Sequence, residues 1–238
     1  MTTSSWDTVW LNAAAAAHVP LDAATLENHI DSGKIGFILP WIPGEGCAVE
    51  IGCGSARLLA RLGITRPYTL TAVDTSLEAL AGVERTAAAA GLAIRAVCAD
   101  AYRLPIKSGS CDVVLSGGLL EHFRDPLPIL REMVRVLKPG GVFYADVVPR
   151  KFSLYRVGEV MRMMRSEWLL PGVVETRHDG AYYRGHLTGL GCSEVSYRYC
   201  GVYPPRVSHE VGKRTAVLDG TPVARAFGWY FMIRGRKA

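Results

Sequence analysis

The sequence predicts an α/β fold in which a seven-stranded, mostly parallel sheet carries helices on both faces. Three observations predict it. From Cys47 onward, short apolar runs alternate with stretches of helical periodicity. Those runs lack polar alternation, as expected of strands covered on both sides. The chain of 238 residues, 49% hydrophobic and 21% charged, is long enough for one large core and too apolar for disorder.

The elements follow in order. The first forty residues read as helical, with Trp6, Val9, Trp10 and Ala13 at helical spacing and a second helix from near Asp22 through Leu26 and Ile30. Strands are expected at 48–51, 70–73, 93–98, 112–115 and 142–148, and helices at 55–63, 76–90 and 126–137. Pro139-Gly140-Gly141 stops the last of these helices and turns the chain into the fifth strand. After Pro149 the rhythm breaks, and 150–180, with Arg156, Arg162, Arg165 and Trp168, reads as an inserted helical cap. A helix at 180–190, a strand near 194–200, a loop at Pro204-Pro205 and a last strand at 225–234 complete the sheet with an added C-terminal pair. The organisation expected is a helical cap over 1–40, a core over 41–149, the inserted cap and return helix over 150–190, and the strand pair over 191–238.

Composition excludes several classes. No run approaches the ~18–20 apolar residues of a membrane span, and no Lys or Arg precedes Lys34, so a secretory leader is not expected and the location read is cytoplasmic. The six cysteines form no C-x-x-C pair and read as buried, reduced thiols rather than metal ligands. Residues 1–146 carry 12 basic and 15 acidic residues, and 147–238 carry 15 and 7. That basic second half either meets an anion or is a solvated face.

The chemistry lies at the ends of the strands. Glu50-Ile51-Gly52-Cys53-Gly54 closes the first, where small residues let backbone approach a ligand at the carboxyl end of a parallel sheet. Arg57 stands where a dinucleotide turn wants a small residue, and Glu50 would repel a pyrophosphate while welcoming an ammonium group. Asp74, 20 residues after Gly54 and followed by Thr75, can accept both hydroxyls of a ribose or cap a helix. Asp100-Ala101 ends the third strand, where Asp100 can accept from a purine amine, and Ser116-Gly117 ends the fourth with room for a ligand. On this reading carboxylates 50, 74 and 100 converge along one crevice rim around a nucleoside bearing an amino acid, namely S-adenosyl-L-methionine.

Residues 49–141 resemble the class I S-adenosylmethionine-dependent methyltransferases, in particular the small-molecule branch of the ubiquinone and menaquinone biosynthesis type. Residues 50–56 resemble that family's E/D-x-G-x-G-x-G loop, with Ala56 in place of the last glycine. Asp74 matches its ribose acid, and Asp100-Ala101 with Leu104-Pro105 its D-A-x-x-L-P segment. Leu120-Glu121-His122-Phe123 with Asp125-Pro126 is similar to its L-E-H-hydrophobic segment, and Leu137-Lys138-Pro139-Gly140-Gly141 to its L-K-P-G-G turn. The resemblance implies a Rossmann-like fold, S-adenosyl-L-methionine as cofactor and methyl transfer to oxygen or nitrogen of a small molecule, plausibly a secondary metabolite.

For that chemistry His122 is the candidate base, since histidine ordinarily titrates near neutrality; the alternative is that Glu121-His122 only orders the loop. Candidate acceptor contacts are Arg156, His178, Tyr182 and Tyr183, against surface exposure and packing. Trp6, Trp10 and Trp41 either close the pocket or pack in the core, with packing expected for at least two. The partner expected is a small molecule, anionic or not, bound by a monomer or homodimer, and no residue is assigned to a metal. Competing readings are a tRNA or rRNA methyltransferase, a nicotinamide oxidoreductase and a non-catalytic cofactor-binding protein. The fourth strand's end lacks the Asp/Asn-Pro-Pro-aromatic signature of amino-group nucleic-acid methylation, and Arg57 with Glu50 disfavours nicotinamide.

Overall fold

The structure, a computed structural model, describes residues 6–7, 10, 20–157, 175–204 and 207–238. Helix α1 (Leu26–Ile38) is capped by Thr25, whose side chain accepts from Asn28 N, so it starts after Asp22 rather than at it. Then follow β1 (Gly46–Ile51), α2 (Arg57–Thr65), β2 (Tyr68–Asp74), α3 (Leu77–Ala90), β3 (Ile94–Cys98) and β4 (Cys111–Gly117). Beyond a 3-10 turn at Leu120–His122 come α4 (Leu127–Val136), β5 (Leu137–Val147), α5 (Gly180–Gly189), β6 (Cys192–Cys200), α6 (His209–Thr215), α7 (Pro222–Phe227) and β7 (Tyr230–Lys237).

The described strands form one sheet in the order β3-β2-β1-β4-β5-β7-β6. Strands β1 to β5 pair in parallel, and β7 is antiparallel to both β5 and β6. Side-chain alternation divides the core. Val114, Phe143 and Ala145 face a layer containing Ile129, Leu130, Tyr183 and Phe231, whereas Val113, Leu115 and Tyr144 face Ile35, Ile38, Leu59 and Leu62. Because β1 to β4 run parallel, with the order turning from β2 to β4 across β1, their carboxyl ends lie together at one edge of the sheet.

Several boundaries differ from expectation for identifiable reasons. Strand β5 starts at Leu137, ahead of Pro139-Gly140-Gly141, and absorbs those residues as a register shift opposite Cys111/Val113. The expected strand over 225–234 is displaced to Tyr230–Lys237, because Thr221 caps a short helix with Pro222 in its first turn. The loop after Pro204 contains α6, capped by Ser208. The proposed cap is helical over 154–157, and its remainder at 158–174 lies outside the described residues, as do Arg162, Arg165 and Trp168. Cys53, Cys111, Cys192 and Cys200 are buried, but Cys98 is exposed at the end of the edge strand β3.

Several cations of the basic half donate to backbone carbonyls. Lys237 Nζ donates to Val134 O and Leu137 O at the end of α4, and Lys151 Nζ to Arg225 O and Gly228 O at the end of α7. Arg234 donates to Phe37 O, and Arg236 to Trp41 O and Gly140 O. Cations placed at helix C-termini satisfy acceptors that the helix itself cannot, and complement its dipole. Trp41 lies under Arg234 and Arg236 rather than near the strand ends. No helix among the described residues is long and apolar enough to cross a membrane.

Candidate active site

A crevice opens at the carboxyl ends of β1 to β4. Its lining includes Gly52, Cys53, Gly54, Asp74, Thr75, Asp100, Ala101, Gly117 and His122. The sequence also assigned Glu50 and Ser116 to this site, and the structure places both beneath it rather than in it. Glu50 is 3% exposed, and its Oε2 accepts from Leu59 N at 3.0 Å inside the first turn of α2. Burial pushes its carboxyl up to about 8, with Asp146 and Asp31 adding to the shift. Of the three carboxylates only Asp74 and Asp100 line the crevice, and Glu50 lies beneath it. Ser116 is fully buried, its hydroxyl without a partner among the described residues.

The turn after β1 is held in place by an acid two strands' worth of chain away. Asp74 Oδ2 accepts from Gly54 N at 2.9 Å, and Oδ1 accepts from Ser76 N at 3.0 Å. Each carboxylate oxygen retains a further lone pair for a ribose hydroxyl. Gly52 and Gly54 adopt left-handed φ values of +63° and +52°, which glycine takes without strain. Asp100 Oδ1 accepts from Tyr102 N at 2.9 Å.

Arg57, the departure from a dinucleotide turn, has a structural partner. Its Nε lies 2.9 Å from Glu27 and its Nη2 donates to Asn28 Oδ1, so it fastens α1 against the start of α2. Lys34, from the same α1, forms a 2.8 Å ion pair with Asp146 on β5, with side-chain exposures of 14% and 4%. Asp146 Oδ1 lies 3.3 Å, and Glu50 Oε1 3.8 Å, from where a Cβ on Gly117 would stand. The floor of the crevice is thus a buried layer of carboxyls compensated by one lysine.

Aromatic side chains close the other side. Trp6, Trp10, Leu119 and Phe123 join the lining. The ring of Trp6 meets that of His122 edge-on at 4.7 Å, and Asp7 accepts from Ser76 Oγ at 2.6 Å. Packing was expected for at least two of Trp6, Trp10 and Trp41, yet two of the three face the crevice. Their i, i+4 spacing places both on one helix face, and that was the available signal for them. Phe123 was legible as the hydrophobic residue of the L-E-H segment.

The four candidate acceptor contacts do not line the crevice. Arg156 pairs with Glu175 at 2.7 Å and donates to Pro149 O. His178 stacks on Tyr182 at 3.9 Å and bonds Arg124 O. Tyr183 is fully buried, tilted against Phe231 at 5.9 Å. These residues tie the 175–186 segment to the sheet and to the turn after β4.

Residues 49–145 match a family model described as a methyltransferase domain. The matched stretch is the sheet from β1 to β5 together with the crevice at its strand ends. Over 135 residues the chain is 33% identical to a ubiquinone biosynthesis O-methyltransferase of Caulobacter vibrioides, covering 55% of this chain and 52% of that one. Over 98 residues it is 37% identical to a malonyl-[acyl-carrier protein] O-methyltransferase of a Marinomonas species, covering 41% and 33%. The chain thus spans about half or less of these curated relatives. An S-adenosylmethionine-dependent methyltransferase of Thermotoga maritima superposes with a TM-score of 0.60 at 21% identity, over 87% of this chain and 88% of that one.

The methyltransferase domain takes S-adenosylmethionine as its cofactor, and its crevice fits that molecule. Leu119 and the Trp10 ring pack directly over Gly52 and Gly54, leaving no room for a Cβ on either, and Asp74 has acceptor capacity in reserve. Asp74→Ala should weaken S-adenosylmethionine binding at least tenfold, about 1.4 kcal/mol, by calorimetry. An unaltered affinity would remove the ribose assignment.

Proposed function

We propose that the protein transfers the methyl group of S-adenosylmethionine to an oxygen of a small molecule held against His122 and the aromatic wall. The observation that carries this reading is the single crevice shared by the ends of β1 to β4, with a histidine at the mouth. The similarity to two O-methyltransferases supports oxygen as the acceptor atom. A secondary metabolite is the acceptor class we infer.

When bound, the cofactor supplies a methyl group already activated on a sulfonium. The chain's contribution is alignment, which can account for roughly 7–11 kcal/mol of a barrier. Asp74 would hold the ribose, Asp100 would accept from the adenine amine, and the Gly52–Gly54 backbone would lie along the amino-acid end. Trp6, Trp10, Leu119 and Phe123 would exclude water from the reacting atoms and offer an apolar face to the acceptor oxygen. A hydroxyl acceptor passes its proton to His122, whereas a carboxylate has none to lose.

Lys151, Arg156, Arg234, Arg236 and Lys237 donate to backbone carbonyls, so a third of the fifteen cations of residues 147–238 are spent within the fold rather than offered to an RNA. Calorimetry with S-adenosylmethionine, S-adenosylhomocysteine and NAD should give binding for the first two and none for NAD. A metabolite screen with labelled methyl donor then identifies the acceptor. For a hydroxyl acceptor, His122→Ala should lower turnover by about 10²–10⁴-fold and leave cofactor affinity within about threefold. Unchanged turnover would dismiss His122 as the base.

A further inference from the structure

The 3-10 turn Leu120–His122 points two neighbouring ionisable side chains in opposite directions. His122 faces the crevice, while Glu121 is 2% exposed beneath the turn. Glu121 Oε1 accepts from Val148 N, at the end of β5, at 3.2 Å. Its main-chain oxygen accepts from Thr176 N at 2.8 Å, and Thr176 O accepts from Arg150 N at 2.7 Å. The same carboxyl curls back to within 3.7 Å of where a Cβ on Gly118 would stand. One residue therefore joins three segments: the turn after β4, the end of β5 and the stretch leading into α5.

We propose that Glu121 is the positioning residue for His122, a buried clasp that fixes the 118–123 turn so that the imidazole is presented at one place in the crevice. The clasp works as an uncharged acid. Its Oε2 is buried with no partner among the described residues. An ionised carboxylate with one oxygen so placed would bear a large desolvation cost. A proton on Oε2 removes that cost. Among the described residues the charged and titratable groups facing Glu121 are Asp146, Glu175 and Tyr183, none of them a cation, and burial pushes its carboxyl up to about 8.

The role of the clasp rests on the methyltransferase reading, because His122 matters only where an acceptor is to be methylated. The test does not need the acceptor. In full-length protein with labelled histidine, the ring signals of His122 are identified by their loss in His122→Ala. Glu121→Gln, which keeps shape and hydrogen bonding, should leave those signals in place. Glu121→Leu, which keeps volume and strips the hydrogen bond, should shift or broaden them. S-adenosylmethionine affinity should stay within about threefold in both variants. The infrared difference between wild type and Glu121→Gln at pH 7 should contain the carbonyl stretch of an unionised acid. The proposal fails if Glu121→Leu leaves the His122 signals unmoved, if Glu121→Gln displaces them, or if the difference contains a carboxylate band. Should Glu121→Leu not fold, the Glu121→Gln spectrum and the infrared band decide the matter. Absence of S-adenosylmethionine binding by the wild type would sink the methyltransferase reading and leave the clasp result standing.

Discussion

Gly52→Val is expected to abolish S-adenosylmethionine binding while leaving a folded protein. Two effects act together. Gly52 has φ +63°, a conformation that a β-branched residue tolerates poorly. A Cβ there would also stand 2.5 Å from Leu119 Cδ1, so valine either drives Leu119 into the crevice or deforms the turn. The same turn is tied to Asp74 through Gly54 N, and a deformation would be passed to the ribose acid. The measurement is calorimetric titration together with circular dichroism. Residual affinity within tenfold of wild type would mean that the cofactor does not approach this backbone.

Lys34→Met should produce the largest loss of stability, about 3–5 kcal/mol, as for other buried ion pairs deprived of one partner. Lys34 is the cation that compensates Asp146, and Glu50 and Asp31 lie in the same layer. Removing it leaves Asp146 buried beside two further acids. For a chain of this size the loss corresponds to a fall in melting temperature of roughly 6–20 °C. Adding Asp146→Leu should recover much of it, because replacing both members of a buried pair by apolar groups is often neutral. A single variant that melts within 2 °C of wild type, roughly 1 kcal/mol or less, would show that Asp146 is satisfied some other way.

The sheet was readable because the strands from β1 to β5 are short, mainly apolar runs separated by helical stretches, and such runs have few alternatives to a covered parallel strand. Helices α6 and α7 were not, because each is seven residues or fewer and little buried, so only their Ser208 and Thr221 caps betray them. At the site, Asp74 and Asp100 stood out by position. Glu50 misled because an acid just before the turn reads alike whether it points at a ligand or back into a helix start. Its hydrogen bond to Leu59 N depends on the path of α2, which no local pattern reports. The aromatic cluster at 178–186 misled for a related reason. Tyr182 and Tyr183 are adjacent, yet one stacks on His178 and the other fills the core, and only the tertiary packing separates these fates.

The place of β7 between β5 and β6 has a consequence for how the molecule is made. During synthesis, β6 leaves the ribosome before the strand that will join it to the rest, and one side of β5 stays an unsatisfied edge in the meantime. Strand β7 then delivers both ladders at once, with Lys237 closing the end of a helix translated a hundred residues earlier. A nascent chain halted short of β7 would therefore be adhesive along β5, so the interval before β7 emerges is one in which self-association threatens.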